Sequence, residues 1–340
     1  MPPADAMNGV HTMRLCRTIV VLRQPLLSNS TMEGFVLNIT SLLNALPGAV
    51  AQGLIWGIMA IGVYITYRVL DLADLTVDGS MATGGAVCVM LMLNGCNVWL
   101  ALLCAIVAGM LAGLVTGIFH TAMGIPPILS GILTQLSLYS INLAVMGFKA
   151  NQGINVTKYP LIVSQRNVRE LAPDNPIFIT LIFLAALIAI LYWFFGTELG
   201  SSLRATGANE AMSRAQGINT NVSKILGLMI SNGIVALSSA LLAHYQGFVD
   251  VNMGRGAIVI GLAAVIISQV MFGKVFHNFA LKLMGVAIGA VIYYIVIQIV
   301  LWLGLNTNLL KLLSALIVAV FLAVPYWKAK AGQKGGRAHA

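Results

Sequence analysis

Apolar residues run along this chain in long blocks separated by short polar clusters. The blocks lie near 47–69, 79–93, 97–119, 126–147, 176–196, 222–245, 257–273, 280–303 and 307–326. A helix needs about 20 apolar residues to cross the hydrocarbon core. Seven blocks meet that length and two, 79–93 and 257–273, fall short. Strands of a membrane barrel would alternate in polarity every second residue, and these blocks do not. The pattern predicts an all-α polytopic membrane protein with about nine transmembrane helices, eight to ten allowing for the short ones.

Each short block follows a polar break. The first break is LDLADLTVDGS, Leu70–Ser80, and the second is QGFVDVNMGRG, Gln246–Gly256. Around each, the spans come in the order long, short, long, long, and the single block 176–196 stands between the two sets. An offset of five spans turns the second set upside down relative to the first. That layout predicts two inverted repeats with broken helices, about 47–147 and 222–326. Small-xxx-small patterns at Gly53/Gly57, Gly109/Gly113/Gly117 and Gly285/Gly289 predict close helix contacts.

One polar stretch stands out between blocks, ELGSSLRATGANEAMSRAQGINTN, Glu198–Asn221. Within it Gly207 reads as a break, Asn209 as an N-cap and Gly217 as a helix stop. Ala208, Ala211, Met212, Ala215 and Ile218 then fall on one stripe of a short helix, with Arg204, Glu210 and Arg214 off it. So short a helix is unstable alone in water and needs a surface to lie on. The stripe is mostly alanine, which is thin for a lipid anchor and suits a groove in another protein.

Composition agrees with the membrane reading: 59% of the 340 residues are hydrophobic, 9% are charged and the mean hydropathy is +0.92. Soluble domains carry about 25% charged residues. The net charge of +9 is dispersed, which fits positive-inside topology and lipid contact rather than nucleic-acid binding. With the basic tail 327–340 inside, nine spans place Arg204, Arg214, Lys224, Lys274 and Lys282 inside as well, and loop 148–175 outside. Residues 1–44 read as a leader, disordered or ahead of the true start, whose apolar run Thr18–Leu22 is too short for a signal peptide. Cys16, Cys88, Cys96 and Cys104 form no Cys-x-x-Cys pair, so neither a metal site nor a disulfide framework is expected.

The residues Arg204, Ala205, Gly207, Asn209, Ala215, Gly217 and Ile218 resemble the cytoplasmic coupling segment of ABC-importer permeases. The family is the branched-chain amino-acid/ribose-type, binding-protein-dependent one, and the likeness covers about residues 45–325. Many members have proline where this chain has Glu210. That departure, with LDLADLTVDGS, is similar to the tryptophan/tyrosine-type permease branch. The resemblance implies a bacterial cytoplasmic (inner) membrane protein that forms a homodimer. Separate ATPase subunits would bind ATP and Mg on the cytoplasmic face, and an extracytoplasmic binding protein would deliver an amino acid, aromatic ones favoured. The ATPase would grip Arg204, Gly207, Asn209, Glu210, Ala211, Met212, Arg214, Ala215, Gly217 and Ile218. No Gly-x-x-x-x-Gly-Lys-Ser/Thr motif occurs, so no cofactor is expected on this chain.

Polar side chains inside a bilayer face the bundle interior or a wet path. Gln135, Tyr139 and Asn142 share one helix face, with Ser130, Thr134 and Ser137 beside it. Path lining and interhelical packing are both open for them. Asp74, Thr76, Asp78 and Ser80 lead into one short helix, and Asn252 and Arg255 into the other. These are further path candidates, although the aspartates also suit plain N-caps. The alternative function is an ion-coupled secondary transporter with inverted repeats, for which Asp74, Asp78 and Asp250 are the acidic candidates. An intramembrane enzyme is not expected: there is no His-Glu-x-x-His and no Gly-x-Ser-x-Gly. No catalytic or metal-binding residue is assigned.

Overall fold

The computed structural model describes residues 39–303 apart from 156–158, 160, 170–173 and 274, together with 312, 315–316, 318–320 and 323. Residues 1–38 of the leader read at 1–44, most of the block 307–326 and the basic tail lie outside these residues; Ile39–Asn44, read as part of the leader, instead open the first helix. The helices are α1 (Ile39–Tyr64), α2 (Val77–Leu93), α3 (Val98–Thr121), α4 (Pro127–Val145) and α5 (Pro176–Gly196). They continue as α6 (Glu198–Ala208), α7 (Glu210–Ala215), α8 (Thr220–Gln246), α9 (Ala257–Phe272) and α10 (Phe279–Trp302). Six of them, α1, α3, α4, α5, α8 and α10, are long and apolar enough to cross a membrane. The shorter α2 and α9 coincide with the two short blocks. The chain is an all-α polytopic membrane protein.

Local sequence explains where the helices begin and end. Asn97, Asn175, Asn209 and Asn219 each precede a helix and accept a hydrogen bond from a backbone N–H two or three residues on. Pro176 then occupies the first position of α5, where a missing N–H costs nothing. Gly247, at φ 76°, ends α8. At its C-terminal end α1 widens into a π-helical turn, Ile65–Val69. The chain then reverses through Asp71 at φ 55°, a left-handed conformation that aspartate tolerates better than most residues.

The helices α1 and α8 form the centre, with 83% and 72% of their membrane windows buried against 22% for α5. Helix α1 packs on α10, α9 and α8, and α8 packs on α3, α2 and α1. Exchanging α1 with α8, α2 with α9 and α3 with α10 maps these pairs onto one another. The glycine patterns lie on these seams. A Cβ at Gly109 or Gly113 of α3 would strike backbone carbonyls of α8, at Asn232 and Leu228. One at Gly53 of α1 would sit 2.7 Å from Val291 Cα of α10. Serines stitch the centre: Ser231 of α8 donates to the Gly62 carbonyl and Ser238 to the Ile55 carbonyl, both at 2.7 Å. An element absent from the sequence expectation is a small antiparallel ribbon, β1 (Asn151–Gly153) with β2 (Phe248–Asp250).

Candidate functional site

The two polar breaks converge. Asp78, in the first turn of α2, accepts hydrogen bonds from the backbone N–H groups of Gly256 (2.9 Å) and Ile258 (3.0 Å) at the start of α9. A carboxylate is thus fixed on the positive end of a helix, where it is favoured. That helix start is occupied by a carboxylate from this chain. Gly254 sits so close to the Asp78 carbonyl that any Cβ would collide with it.

A buried polar network lies behind this contact. Asp74 Oδ1 accepts from the Thr76 backbone N–H (2.9 Å), and Oδ2 accepts from Asn232 Nδ2 (2.8 Å). Ser80 donates to Asn232 Oδ1. The Thr76 hydroxyl lies 2.7 Å from that of Thr116, which lies 2.9 Å from that of Thr134. All six side chains are buried, and together they tie the first break to α3, α4 and α8. Asn232 and Thr116 were not singled out from the sequence. The signal was available for Asn232, an amide in the middle of an apolar span, as it was for Asn142.

Beside the network is a cavity of about 330 Å³ lined by Asp78, Gln135, Tyr139, Asn142, Val251 and Arg255, among others. The Arg255 guanidinium stands over the Tyr139 ring, 5.9 Å from its centroid. Asn142 is buried, and its Oδ1 has no hydrogen-bond partner. Of the path candidates, Asp78, Gln135, Tyr139 and Asn142 therefore meet at the cavity, whereas Asp74, Thr76, Ser80 and Thr134 belong to the network. Asn252 does neither. It is exposed in a turn, its backbone N–H on Asp250 Oδ1 at 2.6 Å.

The polar stretch after α5 folds as two helices, not one. Thr197 caps α6 by accepting from the Gly200 N–H, and Arg204 reaches back to the Phe195 carbonyl (2.8 Å), locking the α5–α6 corner. Leu203 is fully buried and, with Leu70, packs against Gly227 of α8. Gly207 is helical rather than a break. Its role is close approach: a Cβ there would overlap the Val69 carbonyl at the end of the π turn. The actual break is Asn209, which caps α7 through the Met212 N–H (3.0 Å). Glu210 binds Lys224 of α8 (2.8 Å) and Arg214, and Arg214 Nε donates to Thr220 Oγ1 (2.8 Å). The Lys224 hydrogen bond and charge, with help from Arg214, hold the Glu210 carboxyl below its ordinary range despite some desolvation. Gly217, at φ +84°, closes α7, with the Ile218 N–H on the Ser213 carbonyl. These contacts leave Ala208, Ala211, Met212 and Ala215 exposed and Ile218 half-buried, Met212 at 59%.

Comparison with known proteins places this arrangement. The family described as branched-chain amino acid transport system / permease component matches residues 46–324. A tyrosine transport system permease protein of Clostridioides difficile (strain R20291) is 40% identical over 281 residues, 83% of this chain and 91% of the relative. An uncharacterized protein, RP368, of Rickettsia prowazekii (strain Madrid E) is 33% identical over 283 residues, 83% and 98% of the two chains. The ribose import permease protein RbsC of Escherichia coli (strain K12) is 24% identical over 298 residues, 87% and 88%. Among solved structures, PsaBC from Streptococcus pneumoniae in complex with Fab shares the fold, with a TM-score of 0.50 at 17% identity over 84% of this chain and 94% of that one. With the family matched over most of its length, the chain belongs to the branched-chain amino acid transport system / permease component family, the membrane components of ABC importers.

Proposed function

We propose that this chain is the path-forming permease of an ABC importer for an amino acid, with aromatic amino acids favoured, and that the α6–α7 segment is its cytoplasmic joint to a separate ATPase. The observation that carries this reading is the α7 face. Ala211, Met212 and Ala215 are exposed on a six-residue helix that its own chain anchors through Glu210, Arg214 and Asn209, and Ala208, the last residue of α6, is exposed just ahead of it. So short a helix does not hold itself, and a rigidly mounted small-residue face suits a protein groove.

The joint has a route inward. Gly207 presses on the π turn at Val69–Leu70, and Leu70 is only four residues ahead of Asp74. A push on α6–α7 by an ATPase that binds ATP and Mg would reach the first break and its network. In this reading the chain spans a bacterial cytoplasmic membrane nine times in two inverted repeats, works as a homodimer and receives its solute from an extracytoplasmic binding protein. The helix exchange seen in the packing supports the repeats. The amino-acid solute is supported by the tyrosine permease relative. Ion-coupled transport is disfavoured because Asp74 and Asp78 are already occupied, by Asn232 and by the α9 backbone.

The test is co-purification from the native host. Wild type should bring down a Walker-type ATPase, and Met212→Glu or Ala211→Glu, both at exposed positions, should lose it at least tenfold while the permease still elutes as a folded species. Clean elution of the wild type, with solute moved on an ion gradient alone, would sink the proposal.

A further inference from the structure

The richest unclaimed feature is the cavity between α2, α4 and the second break. Its volume of about 330 Å³ lies at the low end of the roughly 300–1,000 Å³ of small-molecule pockets. It carries charge of both signs and an open acceptor. Arg255 is exposed and, among the described residues, has no carboxylate at ion-pair distance. Its planar fork is shaped for a carboxylate. Asn142 lines the same cavity and offers a buried amide oxygen without a partner, and the Asp78 carboxylate, both oxygens already on the backbone N–H groups of Gly256 and Ile258, adds negative potential. A buried unfilled acceptor costs stability, about 1–3 kcal/mol, and a hydrogen-bond donor entering the cavity would recover it. Tyr139 and Leu136 also line it, exposed at 41% and 65%, and add apolar surface.

We infer that this cavity is a transient site for a zwitterionic α-amino acid. Arg255 takes the carboxylate, Asn142 Oδ1 accepts a hydrogen from the ammonium group, and Tyr139 with Leu136 meets the side chain. The inference rests on the permease reading above and names where in the path the solute is held. A solute carrying only one charged end satisfies only one of the two polar groups. An exposed arginine binds weakly compared with a buried one, which suits a site that must release its solute as readily as it takes it.

Two measurements test this. In proteoliposomes holding the permease, its ATPase and its binding protein, radiolabelled L-tyrosine and then each other L-amino acid is offered with ATP. Arg255→Gln should lower uptake about tenfold, the factor expected for one charge-assisted hydrogen bond. Arg255→Lys should recover a good part of it, and Asn142→Leu should lose severalfold. ATP consumed per molecule imported should rise by the same factors. Separately, Gln135→Cys, at a half-buried position lining the cavity, in an otherwise cysteine-free permease–ATPase complex is labelled with a thiol reagent. The imported amino acid should slow labelling severalfold, whereas its decarboxylated amine and its deaminated acid should not. Uptake within twofold of wild type in both Arg255→Gln and Asn142→Leu, or labelling indifferent to the amino acid, overturns the site and leaves the permease reading standing. Wild-type vesicles that import no amino acid on ATP overturn both.

Discussion

Asn232 holds three groups at once: its Nδ2 serves Asp74 Oδ2 and the Leu228 carbonyl, and its Oδ1 takes the Ser80 hydroxyl. Asn232→Leu would strand a buried carboxylate oxygen, costing about 1–3 kcal/mol unpaired and more where it is charged, and would leave the Ser80 hydroxyl only the Thr76 carbonyl. Ser238→Ala removes one serine–carbonyl bond, worth about 0.6 kcal/mol by the average for such contacts in membranes. In detergent, Asn232→Leu should therefore lower the unfolding midpoint by several times the shift of Ser238→Ala; equal shifts would show that the network contributes no more than an ordinary contact. Glu210 sets a different dependence, on pH. Its carboxyl is held below the ordinary 4.5, chiefly by the Lys224 hydrogen bond, so its anchoring of α7 is fully present above that value. It is lost as pH falls through the depressed value. A spin label at Gln216→Cys should report an immobile α7 from pH 7 to about 5 and a looser one only below 4.5, while Glu210→Gln should be loose throughout. Because Glu210 and Arg214 are partly exposed, added salt should narrow that difference.

At the scale of elements, the proposed function has α6 and α7 divide the labour of a joint. Helix α7 carries the exposed face, and α6 carries the contact with α1. Gly207→Val places two methyl groups where the Val69 carbonyl stands, so α6 must lift off the π turn, an overpacking that costs about 1–3 kcal/mol. The α7 face is untouched. The expected outcome is an ATPase that still co-purifies and hydrolyses ATP, with uptake reduced at least tenfold; an uptake unchanged in this variant would show that force does not pass through Val69. The sequence made much of this readable. Apolar length located α2 through α5 and α8 through α10 within about three residues, because lipid leaves a helix few places to end. It located Asn209 and Gly217 because caps are local chemistry. It misread Gly207, since a glycine needed for a turn and one needed for close approach look alike until the partner backbone is known. The π turn, the β1–β2 ribbon and Asp78 on the start of α9 depend on residues up to 180 positions apart, and no local pattern encodes them.

For the whole molecule, the packing exchange of α1, α2 and α3 with α8, α9 and α10 constrains topology. If the exchange reflects inverted repeats, equivalent helices must be offset by an odd number of spans. Helix α5 supplies the odd member, because among the described residues it is the one span between the β1 turn and the α6–α7 joint. Asn151 and Gln216 must then lie on opposite sides of the bilayer. The positive-inside rule adds the expected direction: Arg204, Arg214 and Lys224 gather around the joint, which predicts that side as cytoplasmic. In a cysteine-free background, Asn151→Cys should react with a membrane-impermeant thiol reagent in right-side-out vesicles and Gln216→Cys only in inverted ones. Both positions are exposed, so lack of reaction cannot be blamed on burial in this chain. Labelling of both from one side would remove α5 from the list of crossings. The two halves would then share one orientation, the joint could not face an ATPase while β1 faces the exterior, and the importer reading would fall with the repeat.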